Sequence, residues 1–500
     1  MKRVSTCNVA SNRESWINRI TSIALVLFVF SLPLNGIEWN WIGVERFELK
    51  ITMITFLILF IAWFIRNIIL RRKRNTKEKL FYFLTLIYAS SQFLSLINSP
   101  YPMESLKQAV IMVCLLTVMI VVSETVSTRE TTLSVLTVMG RLSLIIATAG
   151  VITYYFINPD YWRLGRQGTE LMGIIDLRGD PYYFGDILLF SIGAVFFLTM
   201  KLFQKWYAKL ISLTLLFLWF SALILTYTKG LIIAAVSFLL VSLSLLEGKR
   251  SFILLCLILF IATISVNSKL TGYFQLKERE RTNIGIVLKE SEKTEKKNLH
   301  SISWFNLFMR EKLYDHPRNL YGSNSLYVRF TVLRVSLINS MDYFWFGHGA
   351  GLSQKLLPHM VDIEEKKNEV GSQGNKAIVD AEANYLEKLG VKIKDRNIDR
   401  LDSHVFFITE FFNVGIVGAL SLIGLVLFVL IELSRVVRTS IRETDYIPSL
   451  LFATIISMLV YRLFASFIVI PFLWFMLGFA FGVCKIYWET YTTGKSRQEV

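Results

Sequence analysis

Long, nearly uncharged apolar runs recur along this chain, and they leave few folds open to it. Runs of roughly 16 to 22 predominantly apolar residues are long enough to cross about 30 Å of hydrocarbon as helices. In lipid every backbone amide and carbonyl must be satisfied inside the protein, so such runs read as packed helices. A hydrophobic content of 53% and a mean hydropathy of +0.49 exclude an ordinary soluble domain. The expected fold class is an all-α polytopic membrane protein.

About twelve spans can be drawn, near 20–37, 48–67, 80–97, 107–124, 132–157, 182–200, 207–226, 230–247, 251–267, 409–434, 448–469 and 471–488. They divide the chain into an N-terminal transmembrane bundle over 1–266, with about nine spans, and a large, partly helical extracytoplasmic loop over 267–408. Three C-terminal spans over 409–488 and a cytoplasmic tail over 489–500 follow. The polar, basic segment before the first span carries no clear cleavage site, so that span is expected to be retained.

The formal net charge of +16 fits the bias of cytoplasmic loops towards Lys and Arg, and nucleic acid is a poor partner for so apolar a chain. With twelve spans, the clusters at Arg71–Arg74, Lys201 and Lys205, Lys249 and Arg250, Arg435–Arg442 and Lys485–Arg497 fall on one face, together with Lys2–Arg19. That face is expected to be cytoplasmic, with both termini on it. The 158–181 connection, the hairpin at Lys229 and the large loop are then extracytoplasmic. The four cysteines offer neither metal-ligand spacing nor a disulfide within the loop.

Within the loop, 277–297 and 364–376 are dense in charge and read as solvated. Between them Leu326, Phe330, Leu333, Leu337 and Met341 recur at helical spacing, an apolar stripe with Arg329 and Arg334 beside it. Such a helix lying on the membrane surface holds two guanidinium groups at headgroup level. The run Gly347-His348-Gly349-Ala350-Gly351 then ends it in a permissive backbone; without a Lys-Ser/Thr it is not a nucleotide loop. Arg462, in an apolar run, is expected mid-span, where an ionisable group pairs or lines a cavity; Asp186 is one candidate partner.

Four segments together resemble the O-antigen ligase and polymerase family of membrane glycosyltransferases. His404, followed after ten residues by Gly415-x-x-Gly418, resembles that family's His…Gly-x-x-Gly signature. Arg329, four residues before Leu333 and eighteen before Gly347, resembles its arginine segment and glycine loop. Arg178-Gly-Asp-Pro181 resembles its entry into an extracytoplasmic span, and Thr226-Tyr-Thr-Lys229-Gly230 its Thr-x-Ser-Arg-Gly hairpin. Departures are Val405, Asn413, where Glu is common, and Lys229, where Arg is common.

The resemblance implies a GT-C-like, metal- and cofactor-independent glycosyltransferase of the bacterial inner membrane. Its donor is a polyprenyl-diphosphate-linked glycan, and its acceptor a second glycan or lipid A–core. A chain-length regulator or a flippase is implied as an accessory partner. His404 and Arg329 carry over as catalytic residues, and Arg178, Lys229, Arg334, Gly347, Gly349, Gly415 and Gly418 as substrate-binding positions. The chemistry suits them: a neutral imidazole can accept a hydroxyl proton near pH 7, and guanidinium pairs bidentately with phosphate oxygens. The bland alternatives are an interfacial His capping a helix and snorkelling cations at helix ends. A non-enzymatic lipid-linked glycan flippase is the rival from another class.

Overall fold

The computed structural model describes residues 3–34, 38–39, 49–70, 74–157, 170–171, 175–176, 181–203, 207–226, 228–283, 325–353, 356–357, 360, 406–440, 445–463 and 471–498. Apart from two two-residue antiparallel pairings, these residues form helices and their connections. In order the helices are α1 (Arg3–Ser31), α2 (Ile51–Leu70), α3 (Thr76–Leu94), α4 (Pro102–Thr125), α5 (Arg129–Ile152), α6 (Pro181–Phe190) and α7 (Ile192–Phe203). Then come α8 (Ala208–Leu225), α9 (Lys229–Leu245), α10 (Arg250–Asn283), α11 (Ser325–Asp342), α12 (Phe406–Ser440), α13 (Ile447–Arg462) and α14 (Pro471–Gln498).

Local chemistry sets several of the starts. Asn75 and Glu78 form a reciprocal capping box at α3, with 2.7 and 2.9 Å bonds between each side chain and the other's backbone N–H. Thr128 caps α5, and proline opens α4, where its missing N–H costs nothing.

Among the described residues, eight helices are long and apolar enough to cross a membrane, or nine if a bent pair counts as one span. The architecture is that of a multi-pass α-helical membrane protein. Three further apolar helices, Trp16–Ser31, Lys229–Leu245 and Ile447–Arg462, are shorter. α14 is the central post, with 78% of its apolar window buried, whereas α2, at 11%, lies at the periphery. Around α14, Phe481 stacks on Phe81 at 4.1 Å and Trp474 on Tyr88 at 5.7 Å. Gly478 lies so close to the Met119 carbonyl that a Cβ there would collide with it. Small residues at helix contacts suit a membrane interior, where close packing and hydrogen bonds drive association. Bonds of that kind run from Trp219 to Ser143 at 2.9 Å, from Tyr155 to Asn267 at 2.7 Å and from Ser457 to the Ala234 carbonyl at 2.6 Å.

The two ends of the bundle differ. At one end, ion pairs join helices distant in sequence: Lys77–Glu432 at 2.6 Å, Lys485–Glu78 at 2.9 Å and Arg129–Asp445 at 3.0 Å. There Glu124 accepts from Trp63 at 2.6 Å, Asn67 at 2.8 Å and Arg74 at 3.1 Å, and also from Tyr82. Arg74 and Lys485, from two of the basic clusters expected to share a face, both lie at this end. The opposite end holds the glycine loop and the hairpin at Lys229 and is called the loop end below.

Several expectations need correction. α1 begins at Arg3, so much of the polar N-terminal segment is helical, and α10 continues past 266 to Asn283. The span expected at 182–200 is apolar enough to cross as a pair, α6 and α7, but is bent by 51° around Ser191. Arg462, expected within a span, is the last residue of α13, at the loop end. The span expected at 409–434 is part of a longer element, Phe406–Ser440, interrupted at Gly415.

Candidate functional site

α12 enters the bundle at Phe406 and loses its helical path at Gly415, where φ is 69° and ψ −172°. That backbone region is open almost solely to glycine. A break inside an apolar helix strands backbone groups, which must find partners within the protein. The segment after α11 supplies them. His348 N–H donates to the Phe412 carbonyl at 2.9 Å, Gly349 N–H to the Asn413 carbonyl at 3.0 Å, and Ile416 N–H to the Phe344 carbonyl at 2.8 Å.

Gly347, Gly349 and Gly351 make this fit possible with φ of 69°, 121° and 70°. A Cβ on Gly347 would lie 2.5 Å from the Asn413 carbonyl carbon, and one on Gly349 2.5 Å from Ser105 Oγ. Side chains complete the seat. Ala350 N–H donates to Ser95 Oγ at 3.0 Å, and Ser353 N–H to Asn413 Oδ1 at 2.9 Å. The His348 ring lies flat on Phe412, with centroids 4.1 Å apart. Burial pulls His348 down to about 4, against the opposing influence of the Phe412 carbonyl and Asp342, so the ring is neutral at pH 7.

One turn before the break, Glu410 is buried and accepts from Tyr88 OH at 2.6 Å and Gln92 at 3.4 Å. Sequence reasoning missed Glu410 and Tyr88. The available signal was a carboxylate inside an apolar run, the same signal that picked out Arg462. Asn413 was noted only as a departure from Glu; its side chain holds Ser353 in place.

α11 packs on α12, with Val335 in a cluster with Phe412, and Ser336 and Ser340 of the same helix are buried too. Leu337 and Met341, the described end of the apolar stripe, are exposed, as are Ile338, Phe344 and Trp345. The helix therefore turns small and polar side chains inward and large apolar ones outward, which suits an element seated against lipid. Arg334 is exposed on the same helix.

Gly347, Gly349 and Gly415 are thus brought together, and Gly418 sits one turn further on against Ser91 and Val414. His404 and Arg178 lie outside the described residues, as does the side chain of Arg329, whose backbone belongs to α11.

Lys229 is not part of that junction. It opens α9 after a hairpin held by Thr226 Oγ1 donating to the Leu223 carbonyl at 2.8 Å and Leu231 N–H donating to the Thr228 carbonyl at 3.1 Å. Beside this hairpin, Arg462 Nη2 donates to Asp186 Oδ1 at 2.7 Å, and both side chains are 1% exposed. Among the described residues no three His, Cys, Asp or Glu side chains cluster as a metal site requires. Compared with protein-family models and with curated proteins, the sequence matches none.

Proposed function

We propose that this protein is a twelve-span glycosyltransferase of the bacterial inner membrane, with both termini cytoplasmic, joining a polyprenyl-diphosphate-linked glycan to an acceptor hydroxyl. The acceptor is a second lipid-linked glycan or lipid A–core, making the protein a repeat-unit polymerase or an O-antigen ligase. The observation that carries this reading is the order of the four motif segments along the chain. Their described parts (the glycine loop, the Gly415 break and the Lys229 hairpin) lie at one end of the bundle, opposite the arginine-rich end.

In this reading the donor's lipid tail lies between helices and its diphosphate meets Arg329, with Arg178, Lys229 or Arg334 assisting. His404 orients or deprotonates the acceptor hydroxyl, which attacks the anomeric carbon as the lipid diphosphate departs. Diphosphate is a good leaving group once its charge is neutralised, so electrostatic stabilisation supplies much of the rate. The glycine junction holds the first turns of α12, which follow His404, in a set position.

The test is glycan joining by the purified protein in liposomes with a lipid-linked glycan and an acceptor. His404→Ala and Arg329→Ala are expected to abolish joining. Lipid-linked glycan crossing the bilayer, unimpaired in His404→Ala and with no joining in the wild type, would support the flippase instead. In a knockout strain, single repeats on lipid A–core indicate a lost polymerase, and free lipid-linked polymer indicates a lost ligase. Unchanged surface glycans in a strain that normally expresses the gene refute both.

A further inference from the structure

We propose that Arg462 is a diphosphate-binding residue of this membrane site, occupied in the resting state by Asp186 and released to the ligand when the anion arrives. The proposal rests on the donor reading above and adds to it a residue that no motif contains.

The first observation is the form of the ion pair. A guanidinium offers five N–H donors in a fork that matches a carboxylate or phosphate in two-point contact. Here a single nitrogen, Nη2, reaches Asp186, while Nε and Nη1 have no hydrogen-bond partner among the described residues, although the side chain is 1% exposed. A pair built only to clamp helices would be expected to use its donors, because buried charge left unsatisfied is costly.

The second observation is position. Ser457 touches the Ala234 carbonyl, Gly185 packs against Leu231, and Asp186 meets Arg462. Those three contacts make α9 and α13 antiparallel. Lys229 and Arg462 each lie five residues beyond the Ala234–Ser457 contact, about 7.5 Å along their helices. Both cations therefore stand at the same height at the loop end.

α9 presents its N-terminus there, with its N–H groups and the positive end of its dipole, which favours an anion. Lys229 is the first residue of that helix, where a cation is placed against the dipole. Asp186 supplies the carboxylate that Arg462 holds in the resting state. It stands on α6, a ten-residue piece joined to α7 through the 51° bend. A diphosphate brings more charge than one carboxylate and can take both arms of the fork.

The competing reading is a clamp and nothing more, and the two differ in sign at Asp186. The experiment uses the full-length protein in phosphatidylcholine nanodiscs, with farnesyl diphosphate as the lipid-borne probe. Inorganic pyrophosphate is the free anion, and phosphatidylglycerol is added as a headgroup competitor. Asp186→Asn is expected to tighten farnesyl diphosphate binding about tenfold, the size of a lost competing charge contact of ~1.4 kcal/mol. Arg462→Met is expected to weaken it at least tenfold and to erase the effect of Asp186→Asn in the double variant.

Should Arg462→Met fail to fold, Arg462→Lys carries the test, because it keeps the charge opposite Asp186 and loses the fork. Binding by Arg462→Lys equal to wild type, or Asp186→Asn that does not tighten binding, overturns the assignment of Arg462. Wild-type protein that binds no farnesyl diphosphate overturns the donor reading as well. Pyrophosphate binding as tightly as the farnesyl ester, or displacement by phosphatidylglycerol at equal concentration, overturns a site selective for lipid diphosphate.

Discussion

Replacing Gly415 by alanine is expected to undo the junction on which the loop end rests. A Cβ at this position would meet Trp345 C and O and Phe346 N, all closer than 3.0 Å and all backbone, so nothing flexible can yield. The φ of 69° with ψ −172° adds strain for any residue with a side chain. That strain, ~1–3 kcal/mol, and three displaced backbone hydrogen bonds at about 1 kcal/mol each sum to roughly 4–6 kcal/mol.

The same helix supplies its own controls. At Gly418 a Cβ would meet side chains, Val414 and Ser91, and the cost there is expected to be smaller. At Gly424 the nearest heavy atom is Leu84 Cδ2 at 3.6 Å, so alanine fits and gains up to about 1 kcal/mol of helix propensity. Thermal unfolding in detergent ranks the three variants, and hydrogen–deuterium exchange over 343–353 reports whether the loop has left its seat. Gly415→Ala as stable as Gly424→Ala, with the loop equally protected, would refute the reasoning.

Three further outcomes follow from other parts of the fold. His348 is buried and neutral: the unfolded chain takes up its proton near pH 6.5, the folded protein only near 4. Stability is therefore full above about pH 6.5 and falls as pH drops towards 4, by on the order of 3 kcal/mol. Melting across that range should show the slope in wild type and lose it in His348→Phe, which keeps the stack on Phe412; an identical slope in both counts against it. Glu124→Ala strands the donors of Trp63, Asn67 and Tyr82 and is expected to cost about 3–5 kcal/mol, read as a lowered melting temperature. Trp345, 64% exposed beside Phe344 and Met341, is expected to sit in lipid, so brominated phospholipid should quench wild type more than Trp345→Phe; equal quenching removes the lipid-facing role from α11.

The apolar runs, the tight hairpin at Lys229 and the glycine loop after α11 were legible in the sequence, because each is a local pattern. Its partner was not: Gly349 and Asn413 are far apart in the chain, and no periodicity links the glycine loop to a break inside an apolar run. The pairing of Asp186 with Arg462 was within reach because a charge in an apolar run demands a partner. Glu410 and Glu124 obey the same rule, yet Glu124 closes its run and is easily assigned to the adjoining connection. The direction in which α11 faces was hidden for a different reason. In lipid the large apolar side chains can point outward and the serines inward, the reverse of a helix on a soluble core.

The lattice of ion pairs at the arginine-rich end has a mechanical consequence. Lys77–Glu432, Lys485–Glu78 and Arg129–Asp445 rivet α3 to α12 and α14, and α5 to the turn before α13. Rods fastened at one end can splay only at the other. Any parting of these helices is therefore expected to be largest at the end that carries the glycine junction.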